Sequence, residues 1–342
     1  MTVCHRAIAL GRYHQSMSFL ALVFALLIEQ VRPLSPDSLV HRSVQQWAHW
    51  LSRTLDAGNL KLAWLTWGLA VGVPALVALV IHWCLMWWFG WPIAILWSMV
   101  VLYATLGFRQ FSHHFTDIRD ALSEGDEALA RQHLAQWMQV EVGALPRAEL
   151  LRHVIEYSVL CAHRHVFGVL AWFSVLAALG LGPAGAVLYR LSDWVWRNWR
   201  AAGESQDWVS GALQKVSRRA WYVVDWIPTR LTAIAFAVVG NFEEAIDCWR
   251  HHTQRFPDDN DGVVLSATAG ALNVRLGGEA LQPARAPMPW MSEAVAEPQD
   301  STSTPGQPPE NAHLASLVGL VWRTVVLWLI LLALLTIARL LG

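Results

Sequence analysis

The amino-acid sequence predicts an all-α protein, a polytopic membrane helix bundle with peripheral polar helices. Three observations carry that expectation. Of 342 residues, 55% are hydrophobic and 15% charged, with 21 tryptophans. Ordinary soluble domains carry about 25% charged residues, so a fully hydrated surface is hard to build from this chain. The run from Leu62 to Phe108 contains no Asp, Glu, Lys or Arg and has room for two crossings of about 20 residues each. The polar stretches between apolar runs repeat their hydrophobic residues at helical spacing. The net charge of -1, with no long basic patch, argues against a nucleic-acid partner.

Taken in order, residues 1–16 contain Arg6 and Arg12 but no apolar core or cleavage site of a signal peptide. They read as an N-terminal extension outside the fold, with Met17 as an alternative start. The body is expected over 17–278. Its first apolar piece, Met17 to Ile28, is short for a span. Within Leu62 to Phe108, "WWFGWP" (Trp87 to Pro92) combines turn residues with aromatic groups suited to a lipid interface, and predicts a hairpin there. His165 to Tyr189 is a third span, broken in its second half by Gly180, Gly182, Pro183 and Gly185. Trp221 to Gly240 is marginal because it holds Asp225, Pro228 and Arg230, and charges within a membrane usually face protein or water.

Between these runs, Phe111, Phe115, Ile118 and Leu122 predict one helix, Ser123 to Asp126 a turn, and Leu129, Leu134 and Trp137 a second helix. Pro146 opens a further helix through "RAELLRHVIEYSVLCAHRH". The histidines His113, His114, His133, His153, His163 and His165 show no metal-site spacing and read as packing or surface residues. The four cysteines form no CxxC pair and no disulfide framework is expected; two lie in or beside apolar runs and read as buried structural thiols. Residues 279–316 hold 7 of the 15 prolines and are expected as a linker. Residues 317–342 form a terminal membrane anchor, with Arg323 placed to snorkel. Segments 109–165 and 191–222 are both rich in Arg and Lys, so charge sets no clear orientation; a cytoplasmic face is expected for both.

The most polar stretch of the body is "RFPDDNDGVVLSATAGALNVRLGG", Arg255 to Gly278. Asp258, Asp259, Asn260 and Asp261 lack the spacing and closing Glu of an EF-hand loop, and no Walker GK[ST] follows. Two readings stay open. In one, Asn260 or Asp261 caps a helix that the Gly277–Gly278 pair stops. In the other, the helix start meets phosphate or magnesium, with Arg275 as a phosphate clamp.

Five pieces together resemble the CobD/CbiB family of membrane cobalamin-biosynthesis proteins and its AmpE-like relatives: "ALARQHLAQW", "VIEYS", "GPAGAVLYRLSD", "VVDWIPTRLTA" and "DDNDGVVLSATAGALNVRLGG". They are distributed over most of 17–278. The resemblance implies adenosylcobinamide-phosphate synthase chemistry, in which a corrinoid carboxylate is joined to aminopropanol or its phosphate at the expense of Mg-ATP. It implies catalytic roles for Glu156, Asp225 and Asp261. Arg131, Arg230, Asn260, Gly262 and Arg275 would bind substrate or nucleotide, and Asp259 and Asp261 would be magnesium ligands. Departures from the synthase pattern lie in "VEVGALPRAEL", in "YSVLCAHRHVFG", after "LYRLSD", and in the early loop, where only Pro33 and Pro36 stand. These departures, with "VVDWIPTRL", are similar to the AmpE-like branch. That branch implies a membrane regulatory or sensory protein without catalysis and with a protein partner. A transporter is disfavoured by the lack of an internal repeat. Either reading places the chain in a bacterial inner membrane, in contact with lipid.

Overall fold

The computed structural model describes residues 21–29, 39–140, 142–143, 145–204, 209–278 and 303–341. Residues 1–16, and all but the end of the expected linker, lie outside this range. The described residues are almost wholly helical. In order they form α1 (21–29), α2 (Leu39–Leu55), α3 (Leu60–Phe89), α4 (Trp91–Thr105), α5 (Phe108–Glu124), α6 (Glu127–Met138), α7 (Arg147–Ala162), α8 (Gly168–Ala178), α9 (Ala184–Glu204), α10 (Gly211–Val239), α11 (Phe242–His252), α12 (Asp259–Leu272) and α13 (Asn311–Leu341). A π turn, His163–Phe167, joins α7 to α8.

Four stretches are long and apolar enough to cross a membrane: Leu60–Phe89, Arg147–Ala178, Gly211–Val239 and Asn311–Ala338. This is a membrane protein by the length and composition of its helices. The apolar run at 62–108 divides at Gly90, whose φ of 79° suits a residue without Cβ. Pro92 then occupies the first turn of α4, where its missing N–H costs nothing. The hairpin is where the sequence places it, and Trp87 is 88% exposed, as an interfacial aromatic would be. The second arm is shorter than expected. At 15 residues, α4 extends about 22 Å against a hydrocarbon layer of about 30 Å. Conversely, the marginal segment 221–240 is part of a 29-residue helix that continues through Pro228. Membrane helices tolerate such a proline when neighbours compensate the freed backbone group.

The chain divides into two compact units. Unit 1 takes its described residues from 1–109, 164–228 and 328–342. Its core joins α2, α3, α9 and α10 through Leu51, Val71, Val195, Trp199, Leu213 and Val216. Helices α8 and α9 meet closely at Gly168, where an added Cβ would lie 2.0 Å from the Tyr189 ring.

Unit 2 takes its described residues from 110–163 and 229–327. Here α5 and α6 form the expected hairpin. Asp126 caps α6, its carboxylate accepting from the Leu129 N–H at 2.9 Å. The centre of the unit is α12, buried from Gly262 to Ala271. Its small side chains let α11 approach until a Cβ on Gly270 would sit 2.2 Å from the Glu244 carbonyl oxygen.

Two expectations about this region are corrected. The end of α12 is Asn273 in the left-handed conformation, not the Gly277–Gly278 pair. At its start, Asp258 holds the cap position without a side-chain cap bond, and Asn260 lies inside the helix, buried. Residues 303–310, expected as part of the linker, pair with the chain after α12. The Arg275 N–H donates to the Gln307 carbonyl at 2.8 Å, and the Thr304 N–H to that of Leu276 at 2.7 Å. Helix α13 begins at Asn311, within the stretch expected as linker.

Filling the tight contact at Gly270 should be costly. Gly270→Val is expected to destabilise the detergent-solubilised protein by about 1–3 kcal/mol or more, read as a lower Tm. Gly68→Ala, where nothing lies within 4 Å of the new Cβ, should leave Tm unchanged or slightly raised.

Candidate functional site

The polar residues singled out from the sequence fall into separate groups, most of them in unit 2. At the N-terminal end of α12, Asn260 is 1% exposed and accepts from Arg230 Nη1 at 3.3 Å. Arg230 follows Pro228 in α10, so the "DWIPTRL" and "DDNDG" blocks meet here. Asp259 is exposed and Asp261 half-buried. Both lie in the first turn, where their charge complements the helix dipole. They occupy the partial positive charge that a phosphate would use, so this helix start suits a cation better than an anion. Gly262 has a packing reason to be glycine: a Cβ there would lie 2.4 Å from the Thr253 carbonyl oxygen.

Glu156 and Arg275 belong to the other end of α12. Glu156 accepts from the Gly277 N–H at 2.7 Å and is paired with Arg152 at 3.1 Å. Arg152, with 4% of its side chain exposed, also reaches Glu149 at 2.6 Å. Arg275 is exposed and uses its backbone N–H to hold Gln307. The 14 residues of α12 extend about 20 Å, which separates this group from Asn260. His163 lies against α10, Nδ1 2.9 Å from Thr232 Oγ1 and Nε2 3.5 Å from Thr229 Oγ1.

Arg131 joins neither group. It pairs with Glu127 at 2.8 Å and donates to the Leu145 carbonyl at 2.9 Å, tying α6 to the turn before α7. Among the described residues, no three His, Cys, Asp or Glu side chains gather as a metal site would require.

Asp225 lies in unit 1, fully buried, and accepts from the Tyr189 hydroxyl at 2.8 Å. Tyr189 packs beside Trp221, which stacks on Trp196. The guanidinium of Arg164 lies over both indoles, 5.5 Å from Trp196 and 6.0 Å from Trp221. On α9, Arg190 pairs with Asp193 at 3.0 Å, and Arg197 pairs with the same carboxylate oxygen. Sequence reasoning singled out Tyr189 and Arg190 only as part of a block, and missed Arg164, Asp193 and Arg197. For Asp193 and Arg197 the signal was the i, i+3, i+7 register of Arg190, Asp193 and Arg197 on one helix face.

Charge and burial shift these groups. Burial pushes the Tyr189 hydroxyl well above its ordinary value, and the nearby Asp225 and Asp193 add to the shift. Burial opposes ionisation of Asp193, but Arg197, Arg190 and Arg164 outweigh it and hold the carboxyl below its usual range.

The family described as "CobD/Cbib protein" matches residues 19–306. The chain belongs to this family. It is similar to the cobalamin biosynthesis protein CobD of Stutzerimonas stutzeri, with 30% identity over 240 residues, 69% of this chain and 71% of the relative. The Photorhabdus laumondii protein of the same name is 27% identical over 272 residues, 75% of this chain and 77% of the relative. The Chromobacterium violaceum protein is 32% identical over 185 residues, 53% of this chain and 55% of the relative. No solved structure matches the chain.

Two measurements check the electrostatics. Removing Arg152 strands Glu156 beside a backbone N–H without its counter-charge, so Arg152→Met should cost about 3–5 kcal/mol, measured by denaturant unfolding in detergent. Tyr189 is protonated in the folded protein at pH values where an unfolded tyrosine ionises, near pH 10. Its contribution to stability is therefore complete below about pH 10 and is lost as pH rises towards its folded value. Ultraviolet titration of the five tyrosines should show one that ionises only with unfolding, and Tyr189→Phe should abolish that component.

Proposed function

We propose that the chain acts in cobalamin biosynthesis at the bacterial inner membrane, joining a corrinoid carboxylate to aminopropanol or its phosphate with consumption of Mg-ATP. The observation that carries this reading is the family match over residues 19–306, which takes in every polar group described above. The relatives' names refer to cobalamin biosynthesis and favour it over the regulatory, AmpE-like alternative.

Amide formation needs an activated carboxylate, a neutral amine and neutralised phosphate charge. The N-terminal end of α12 is the best-suited place for part of this work. Arg230, hydrogen-bonded to Asn260, provides a planar guanidinium for carboxylate or phosphate. Asp261 and Asp259 in the next turn are carboxylates able to meet a magnesium ion brought by the nucleotide. Arg275 is an exposed cation beside the docked 303–310 segment, about 20 Å along α12 and too far to share a phosphate with Arg230. Glu156 is held between Arg152 and the Gly277 N–H, and we assign it a positioning role on the Gly277 turn. Asp225, engaged by Tyr189, is likewise given a positioning role, within unit 1.

The test is turnover by purified, full-length protein given cobyric acid, Mg-ATP and either aminopropanol or its phosphate, with the amide product followed by mass spectrometry. Product formation is expected. Arg230→Gln and Asn260→Ala, if folded, should reduce its rate by about tenfold to a hundredfold, the loss of one charge-assisted hydrogen bond. Well-folded protein that neither binds the corrinoid nor forms product would refute the reading.

A further inference from the structure

Unit 1 carries its exposed charge at one end. There α2 finishes at Leu55, α3 starts at Leu60, α9 finishes at Glu204 and α10 starts at Gly211. The two connections are tied together, because the Asp56 carboxylate accepts from the Ser210 N–H at 2.7 Å. Leu51, Trp199 and Leu213 pack in one core just inside these helix ends. Arg53, Lys61, Arg200, Lys215, Arg218 and Arg219 are all exposed here. The same stretches, 53–61 and 200–219, bring Asp56, Glu204 and Asp207 as acids. Six cations against three acids leave this end positive, whatever pairs form among them. The far end of the unit, where the Trp83 indole donates to the Gly180 carbonyl at 3.2 Å, is different. Residues 62–108 and 165–189 contain no Asp, Glu, Lys or Arg at all.

Helix lengths set the depth of these cations in the bilayer. Trp64 and Trp87 of α3 are both exposed, and indoles favour the two lipid interfaces. They lie about 35 Å apart along the helix, close to the hydrocarbon thickness of about 30 Å. Lys61 is one turn outside Trp64. On α10, the stretch from Ala220 to Val239 alone extends about 30 Å, so Lys215, Arg218 and Arg219 stand in the turns that precede it. The cations therefore sit at headgroup level, and on one side of the bilayer.

We propose that this end of unit 1 docks the acidic phospholipid headgroups of the cytoplasmic leaflet. Charge complementarity commits it to that occupant: an excess of Lys and Arg beside the membrane ends of helices marks the cytoplasmic side, and each such cation draws acidic lipid. Arginine forks take phosphate oxygens in pairs, while lysine acts as a point charge. An acidic soluble protein would also answer the charge, but cations at the depth of Trp64 and Lys61 meet lipid phosphates first. The leaflet assignment rests on the inner-membrane placement proposed above; the lipid preference is independent of the amide-forming chemistry.

Delipidated full-length protein in a neutral maltoside is given equal amounts of phosphatidylglycerol and phosphatidylcholine, and retained lipid is counted by native mass spectrometry. Phosphatidylglycerol should be retained about fivefold over phosphatidylcholine, the pull of a single cation, with the preference shrinking as salt rises. Combining Lys215→Gln, Arg218→Gln and Arg219→Gln should remove most of that preference, while Arg250→Gln, on an exposed residue of unit 2, should leave it intact. Arg218→Lys with Arg219→Lys keeps the charge and should keep the preference, which a packing role for the guanidinium groups would not predict. For the leaflet, Ala57→Cys on the exposed connection between α2 and α3 should react with a membrane-impermeant maleimide in inverted inner-membrane vesicles, scored against the parent chain. Absence of labelling from that side would overturn the leaflet assignment. Equal retention of the two lipids by folded parent protein, or a preference untouched by the triple substitution, would overturn the lipid proposal. An acidic protein that co-purifies with the parent and is lost from the triple variant, with no lipid preference in either, would also overturn it.

Discussion

Hydrocarbon offers no hydrogen bonds, so every polar side chain carried on a membrane-length helix must find its partner within the protein. That constraint organises this fold. Asp225 on α10 is met by Tyr189, Arg152 on α7 by Glu149 and Glu156, Arg230 by Asn260, and His163 by Thr232. In three of these cases the partner comes from a different helix, and each therefore fixes a rotation as well as a contact. The apolar faces would tolerate many rotations of α7, α9 and α10; the polar pairs select among them.

What the sequence discloses follows from how local the cause is. The Gly90 turn, the turn over Ser123 to Asp126 and the break after Ala178 depend on residues within a few positions of one another, and all three were legible. So were Leu60–Phe89 and the terminal apolar helix, but the third span, expected at His165–Tyr189, runs instead over Arg147–Ala178, and Pro228, Asp225 and Arg230 disguised α10. The docking of 303–310 was not legible, because Thr304 finds its partner at Leu276, far back in the chain, and a proline-rich composition says nothing about such a contact. The same reason hid Arg164: its neighbours Trp196 and Trp221 lie on two other helices. Of the candidate site residues, the structure joins Arg230 to Asn260 but gives Arg131 a local task, because the carbonyl of Leu145 and the carboxylate of Glu127 are within its reach.

The two ends of α12 also differ in character. At the N-terminal end the acidic side chains of Asp259 and Asp261 are exposed and half-buried respectively. At the other end Glu156 is enclosed, with its charge answered by Arg152 and by a backbone donor. The second end holds the chain after α12 in the shape that receives 303–310.

Helix α12 carries one further consequence. Its alanines and glycines are dictated by the neighbours that press on them: α11 at Gly270, the Thr253 carbonyl at Gly262. A helix so confined keeps its spelling for reasons of volume, and two proteins can share it while performing different reactions. Likeness through "VVLSATAGAL" is therefore a record of architecture. The record of chemistry is written in the few polar letters that flank it, and it is by those letters that members of this family with different tasks will be told apart.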